Sequence, residues 1–370
     1  MTKSISGDNS PDQKSVAVLM SGGVDSSVAA ALLVEKGYKV VGFTLKLWDA
    51  EDEEHARKVC CTTVMAKDAG RVCAILGIPH YTIDLREDFR REVIERFERE
   101  YLAGRTPNPC VHCNSKVKWG RVWEKVKAIG LDWIATGHYA QLVVEANGET
   151  TLRQGIDQTK DQSYFLWEIP QELLARTMFP LGSLSKDEVR DLARKLNLPV
   201  AEKEESQEVC FIPRDDYRGW LKSRHPELHD GELAGEMVDE TGKSIGKHDG
   251  YPFFTIGQRK GLGLGGGRKL FVTHIEPLSR KVFVGPEEEL SHHEFEIEGL
   301  NVLSPNFAFN GENGYTVKIR YRDAGHSAKL TRTTNNRMVI RVEEPVRSLT
   351  PGQSAVLYKD DRVIAGGIIC

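Results

Sequence analysis

Two stretches of this chain combine residue types that suit covalent or phosphate chemistry: Ser21-Gly22-Gly23-Val24-Asp25-Ser26-Ser27, and Cys110-Val111-His112-Cys113 with Cys210 as a third unusual thiol. In the first, adjacent glycines let the backbone turn tightly and present amide N–H groups. A helix starting directly after them adds its partial positive charge, and together these make an anion site. Ser21, Ser26 and Ser27 are expected to donate to phosphate oxygens, and Asp25 offers a carboxylate to Mg²⁺. No lysine follows the glycines, so this is not the loop used for terminal phosphoryl transfer. In the second stretch, Pro107 and Pro109 flank Asn108; they stiffen the approach to the cysteines and are expected to forbid an ordinary helix there. Lys116, Lys118 and Arg121 lie just downstream, where cations would favour the thiolate. A single C-x-x-C fits redox, zinc or iron–sulfur use. Zinc prefers four ligands, and no second such pair occurs, which leaves only His112 or an acid to complete a set. Cys73 falls on an apolar helical face, adjacent Cys60 and Cys61 read as local packing, and terminal Cys370 as incidental.

The elements that must position these residues alternate strand and helix. Residues 16–20 form a short apolar run ending at the glycines, as a buried parallel strand should. A helix is predicted over 26–35, a strand over 38–46, a helix over 62–76, a strand over 80–85, a long charged helix to about 102, and a strand over 133–136. Repeated βα units imply a doubly wound parallel sheet covered by helices. Beyond about residue 215, frequent Gly and Pro punctuate a small linking domain. From about 281 the segments alternate with strand period, predicting a β-barrel. The expected division is a flexible tail (1–14), an α/β catalytic domain (15–214), a central domain (215–280) and a barrel (281–370).

Composition restrains the function without naming it. The 370 residues are 40% hydrophobic and 28% charged with net charge −4, which describes an ordinary globular chain and does not advertise nucleic acid. The polar first 14 residues do not read as a signal peptide, and no apolar run reaches membrane-span length. Seven cysteines without such a signal point to reduced thiols in the cytoplasm. Charge is uneven, however. Residues 287–298 hold six Glu, whereas residues 315–350 hold eight basic residues against three acidic ones. Either the basic stretch is a local RNA patch or it is a charged face balanced by acids elsewhere. His292 and His293 read as part of a solvated acidic loop, and the glycine-rich segment 257–267 as a hinge or an RNA contact.

The first loop matches the SGGxDS pyrophosphate loop of the ATP-pyrophosphatase superfamily. The chain as a whole resembles the tRNA-specific 2-thiouridylases. The resemblance runs from about residue 16 to 369, through Gly104-Arg-Thr-Pro-Asn-Pro109, Cys113-Asn114, Ala135-Thr-Gly-His-Tyr139, Lys160-Asp-Gln-Ser-Tyr-Phe-Leu166, Cys210-Phe-Ile212, Gly257-Gln-Arg-Lys-Gly-Leu-Gly263 and Thr350-Pro-Gly-Gln-Ser-Ala-Val356. It implies ATP-dependent adenylation of the C2 oxygen of the wobble uridine in tRNAs for Lys, Glu and Gln, followed by sulfur replacing AMP. By position, Cys113 is implied as nucleophile and Cys210 as the persulfide carrier. Leu19, Met20, Ser21, Gly22, Gly23, Val24, Asp25, Ser26, Leu45 and Gly137 fall where the family holds ATP. Asn108, Pro109 and Cys110 fall where it meets the target base. His138, Lys160, Asp161, Gln162, Tyr321, Arg322 and Gln353 fall on its tRNA-contact positions. A sulfur-donor protein is the other implied partner, and the enzyme is expected to act as a monomer. Many relatives carry Asp where this chain has Cys110, which opens two chemistries. One is a Cys113/Cys210 persulfide relay. The other, slightly favoured by the count of three thiols, is a [4Fe–4S] cluster on Cys110, Cys113 and Cys210 with one open iron. An adenylating ligase that transfers nitrogen, or a non-catalytic tRNA-binding protein, are the competing readings; the three thiols disfavour the first and the pyrophosphate loop the second.

Overall fold

The structure, a computed structural model, describes residues 14–49, 63–204, 209–229, 231–264, 268–304, 314–332 and 336–370. The expected tail (apart from Lys14), the Cys60-Cys61 pair and part of the 257–267 segment lie outside these residues.

The N-terminal half begins with β1 (Ser15–Leu19), α1 (Val24–Glu35), β2 (Lys39–Lys46), α2 (Thr63–Leu76) and β3 (His80–Asp84). The expected long charged helix is interrupted: α3 (Arg86–Phe89) passes through a π-helical turn (Arg90–Ile94) into α4 (Glu95–Leu102). After α5 (Pro109–His112) comes a second π-helical stretch (Cys113–Arg121), then α6 (Val122–Ala128) and β4 (Trp133–Ala135). Strands β5 (Ala140–Val144) and β6 (Thr150–Gln154) form a hairpin, followed by α7 (Gln171–Leu174), β7 (Thr177–Met178) and α8 (Lys186–Lys195). Five strands pair in parallel in the order β3-β2-β1-β4-β7. The chain therefore runs outward from β1 to β3 and restarts on the other side of β1 at β4. In such sheets the crevice at the carboxyl ends beside that switch is the ligand position, and the loop following β1 lies there. Val16, Val18, Val28, Ala29 and Ala69 are fully buried between the sheet and its helices, with Cys73 among them. Burial pushes the Cys73 thiol up to about 11, so it is inert core, as its helical position predicts.

Helix α9 (Tyr217–Arg224) leads into a four-stranded sheet of order β10-β11-β8-β9, made from β8 (Gly235–Val238), β9 (Ser244–His248), β10 (Phe271–Glu276) and β11 (Lys281–Gly285). The last part is a closed six-stranded antiparallel barrel: β12 (Ser291–Val302), β13 (Tyr315–Lys318), β14 (His326–Arg332), β15 (Arg337–Arg347), β16 (Ser354–Lys359) and β17 (Arg362–Ile369), with β12 pairing β17 to complete the ring. The β5–β6 hairpin adds to this barrel where Arg362 faces Arg153, so a hairpin of the N-terminal half and the C-terminal barrel share a sheet.

The barrel corrects the reading of the charged segments. Residues 291–302 are strand rather than acidic loop. Register places Glu294 opposite Arg341 and Glu298 opposite Arg337. Arg337 pairs with Glu296 and Glu298 at 3.2 Å, Arg341 with Glu294, and Arg347 with Glu287. Three of the eight basic residues are thus neutralised by the acidic stretch, Arg337 and Arg341 across the β12–β15 strand pair and Arg347 by Glu287 just before it, and the balanced-face reading holds for these three arginines.

Candidate active site at the meeting of three domains

The loop after β1 is built as its sequence suggests. Met20 continues β1 by donating to the Phe43 carbonyl, and Gly22 then adopts a left-handed φ of +71°. A Cβ on Gly22 would lie 2.4 Å from the Met65 carbonyl oxygen, so no other residue fits. Gly23 caps α1 in an extended conformation. Gly137 presses onto the same turn, since a Cβ there would meet the Ser26 amide at 2.6 Å. Leu19, Met20, Val24 and Leu45 are all buried, so only their backbones can face a nucleotide. The hydroxyls differ from expectation. Ser26 Oγ accepts from the Ser21 amide (3.1 Å) and donates to the Gly23 carbonyl (3.2 Å), while Ser27 is fully buried and donates to the same carbonyl (2.8 Å). Ser27 therefore fastens the helix and is not a phosphate donor.

Asp25 is engaged as well. Its carboxylate accepts from Lys186 Nζ at 2.7 and 2.9 Å and from the Tyr139 hydroxyl at 2.7 Å. On the other flank, Lys203 Nζ donates to the Gly22 carbonyl at 3.0 Å and to Asp68 Oδ2 at 2.6 Å. Sequence reasoning missed both lysines because each lies well over a hundred residues from the loop. A signal was available for Lys186: Ser185 and Glu188 form a capping box, which fixes Lys186 as the first residue of α8.

The cysteine segment is held from three sides. The Tyr251 hydroxyl donates to the Leu102 carbonyl at 2.6 Å, and Gly104 lies under Pro277 of the central domain. From the barrel, the Pro351 carbonyl accepts from the Thr106 amide (2.8 Å), and Gln353 Nε2 donates to the Thr106 carbonyl (2.9 Å). Pro109 does not prevent a helix here. It occupies the first helical position, where a missing N–H is harmless, and the Asn108 side chain caps that turn by accepting from the Cys110 amide at 3.2 Å. Cys110 is exposed; Cys113 and Cys210 are half-buried against one continuous apolar cluster. Phe211, next to Cys210, is wedged among Phe89, Phe97 and Trp220, which anchors that thiol's segment.

The nearby cations each have an oxygen partner. Lys116 turns toward Glu168 (3.7 Å), Lys118 toward Asn114 (2.9 Å) and Arg121 toward Asp88 (3.3 Å). Behind the C-x-x-C turn, buried His112 bonds Glu168 at 2.8 Å, and Ser115 donates to the same carboxylate. Burial pushes Glu168 up, but the His112 hydrogen bond and charge, with Ser115 and Lys116, outweigh it and hold the carboxyl at about 2. Among the described residues, no three His, Cys, Asp or Glu side chains gather closely enough to hold a metal ion. Cys110, Cys113 and Cys210 as placed do not form a ready cluster seat.

A family model described as the tRNA methyl transferase HUP domain matches residues 14–214, the corresponding PRC-barrel domain matches 227–286, and an aminomethyltransferase beta-barrel domain matches 292–369. Proteins named tRNA-specific 2-thiouridylase MnmA are similar over nearly the full length. Those from Cytophaga hutchinsonii and Chlorobium luteolum are 44% and 45% identical, each match covering 96% of both chains. That from Chlorobium phaeovibrioides is 43% identical over 96% of this chain and 98% of its own. The chain belongs to the tRNA-specific 2-thiouridylase family.

The positions that the thiouridylase resemblance implied for tRNA contact divide into two groups in this structure. Asp161 is buried, and its oxygens accept from the Gly155 and Ser163 amides, the Ser163 hydroxyl and Gln154 Nε2, all within 3.1 Å. Gln162 accepts from the Tyr139 amide, and Gln353 is spent on Thr106. His138 bonds Thr136 (2.7 Å) between Trp119 and Phe179; burial, with Lys118 nearby, lowers its pKa well below the usual imidazole value, keeping it neutral. Of these four, Asp161 alone is buried, while His138, Gln162 and Gln353 each bond within the site and remain partly exposed. Arg322 is exposed and Lys160 half-exposed. Half-buried Tyr321 lies against Phe165 with ring centroids 4.6 Å apart. Asp323 pins the turn that presents Arg322 by accepting from the Ile319 amide at 3.0 Å.

Proposed function

We propose that this chain, acting in the cytoplasm, uses ATP to adenylate the C2 oxygen of the wobble uridine of tRNAs for Lys, Glu and Gln and replaces that oxygen with sulfur, releasing AMP and pyrophosphate. One observation carries the reading: the segment bearing Cys110 and Cys113 is bonded to all three domains and shares an apolar cluster with the Cys210 segment of the domain that carries the SGGxDS loop. A uridine carbonyl oxygen is a poor leaving group, and its adenylate departs as AMP. The loop amides and the α1 N-terminus hold the departing diphosphate. Asp25 is the carboxylate suited to Mg²⁺, which when bound neutralises phosphate charge.

A sulfur-donor protein first charges Cys210 as a persulfide. The outer sulfur attacks C2, and the C–O bond to AMP breaks. The Cys113 thiolate then attacks Cys210 Sγ; that S–S bond breaks, sulfur stays on C2 and a Cys113–Cys210 disulfide remains for an external dithiol to reduce. Arg322 contacts phosphate and so positions the anticodon arm without reading sequence. A single-stranded loop lets the wobble base swing out at low cost.

The test is anaerobic thiolation of an unmodified transcript, with 2-thiouridine read by mass spectrometry. Iron-stripped protein charged by a persulfide donor is expected to be active, and Cys113→Ser and Cys210→Ser inactive. Activity that appears only after iron and sulfide reconstitution, and is lost in Cys110→Ser, would replace the relay by cluster chemistry on Cys110, Cys113 and Cys210.

A further inference from the structure

We infer that Cys110 resolves the Cys113–Cys210 disulfide left by each thiolation, so that the bond the external dithiol finally reduces is Cys110–Cys113. The inference rests on the persulfide relay proposed above and deepens that reading.

The three thiols differ in access. Cys110 is exposed, whereas Cys113 and Cys210 are half-buried against the apolar cluster. Phe211 holds the Cys210 segment there by packing among Phe89, Phe97 and Trp220. A disulfide between Cys113 and Cys210 would lie against the same cluster. Exchange requires an incoming thiolate to reach one of the bonded sulfurs, and a dithiol carried on a protein reaches an exposed sulfur more readily than one packed on an apolar wall.

Cys110 is placed to make that attack from within. The backbone is helical from Pro109 to Cys113, where φ is −58° and ψ is −44°. Cys110 and Cys113 are therefore three residues apart on one face of a single turn, with Cβ atoms about 5–6 Å apart. A disulfide wants about 3.5–4.5 Å between them, so a small closure is needed. The Cys110 end of the turn can supply it. Its amide donates to the Asn108 side chain at 3.2 Å and to no helical carbonyl, as expected in the first turn. The middle of the turn is fixed, because Val111 and His112 are buried and His112 bonds Glu168 at 2.8 Å. One thiol moves toward a held partner, and the attack is intramolecular.

The exchange balances without an oxidant. Cys110 loses its proton to solvent, and its thiolate attacks Cys113 Sγ; the Cys113–Cys210 bond breaks and Cys210 departs as a thiolate. One disulfide has replaced another. The external dithiol then reduces the Cys110–Cys113 bond and is itself oxidised to a disulfide. Cys210 is meanwhile free to accept the next persulfide. Neither other described thiol fits this role. Cys73 is sealed in the core, and Cys370 lies beyond β17, where burial and then the Glu298 charge push its thiol up.

The experiment charges the iron-free full chain with a persulfide donor, removes the donor, and adds ATP and unmodified transcript anaerobically without reductant. After one turnover the free thiols are trapped with a maleimide and the disulfides are mapped by mass spectrometry. Wild type is expected to hold Cys110–Cys113 with Cys210 alkylated, and Cys110→Ser to hold Cys113–Cys210. With a protein dithiol as reductant, the rate of later turnovers relative to the first is expected to fall at least about tenfold in Cys110→Ser, because a bimolecular attack on a half-buried bond replaces an intramolecular one. A small dithiol is expected to restore it. A wild-type chain that holds Cys113–Cys210 with Cys110 alkylated would overturn the inference and leave the relay standing. So would a Cys110→Ser chain whose later turnovers keep pace with its first, or one whose loss a small dithiol does not relieve. If Cys110→Ser does not fold, the wild-type disulfide map decides alone. Charged wild type that makes no 2-thiouridine would instead remove the relay reading beneath the inference.

Discussion

Replacing Asp161 by Asn separates a side chain that touches tRNA from one that builds the site. Asp161 Oδ1 accepts from the Gly155 and Ser163 amides at 3.0 and 3.1 Å, and Oδ2 from Ser163 Oγ and Gln154 Nε2 at 2.9 and 3.1 Å. Ser163 Oγ continues to the Tyr358 hydroxyl at 3.2 Å, so the carboxylate ties the β5–β6 hairpin to the barrel. Asn has one acceptor oxygen. With that oxygen on the two amides, its nitrogen faces Ser163 Oγ, which can turn to accept, and Gln154 Nε2, which is left unmet, so both bonds lose their charge assistance. At about 1.5–3 kcal/mol for each bond to a charged group, partly recovered by relaxation, the loss is roughly 3 kcal/mol. In a chain of this size that lowers the melting temperature by about 5 °C, and because several domains melt, the transition that includes the barrel is expected to move first. The assays are differential scanning calorimetry and tRNA binding at fixed salt below the shifted transition. Binding is expected to stay within about twofold of wild type. An unchanged melting profile with a tenfold loss of tRNA affinity would refute the reasoning and return Asp161 to the RNA surface.

The same geometry sets three further expectations. Gly137→Ala drives a methyl against the Ser26 amide, so ATP binding measured by calorimetry should weaken at least about tenfold with the fold retained. Arg322→Ala should reduce the slope of log tRNA affinity against log salt by about one phosphate contact. Arg341→Ala should leave it unchanged, because Arg341 already pairs with Glu294. The Glu168 carboxyl is held at about 2, below its value of 4.5 in an unfolded chain; its stabilisation is therefore fully present above about pH 4.5 and is lost as pH falls toward 2. Glu168→Gln should flatten that limb of an acid-unfolding curve and lower stability at pH 7 by roughly 3 kcal/mol, the worth of its pKa displacement at about 1.4 kcal/mol per unit.

How much of this was legible in the sequence depends on how local each cause is. The parallel βα pattern, the helix after Gly23 and the buried Cys73 follow from short-range periodicity and turn chemistry, and the structure has them where the pattern puts them. The helix starting at Pro109 was also decided locally, but by competing rules: proline forbids a helix interior and favours a helix start, and only the Asn108 cap resolves which applies. Charge is where sequence order misleads. Lys116, Lys118 and Arg121 are neighbours of the thiols along the chain, yet the π-helical run beginning at Cys113 turns them toward Glu168, Asn114 and Asp88. Conversely, Lys186 and Lys203 reach the nucleotide loop only because α8 and the segment after it fold back onto α1. A motif names the atoms that meet a ligand, but the charges that make the motif work are set by the fold. Since the loop's own hydroxyls and carboxylate are satisfied internally, a ligand that recruits any of these side chains must displace an existing bond, and the Lys186–Asp25 pair is costly to open. What the loop offers an anion without such displacement is its backbone amides and the N-terminus of α1, so the glycines that expose those amides matter more to binding than the serine hydroxyls between them.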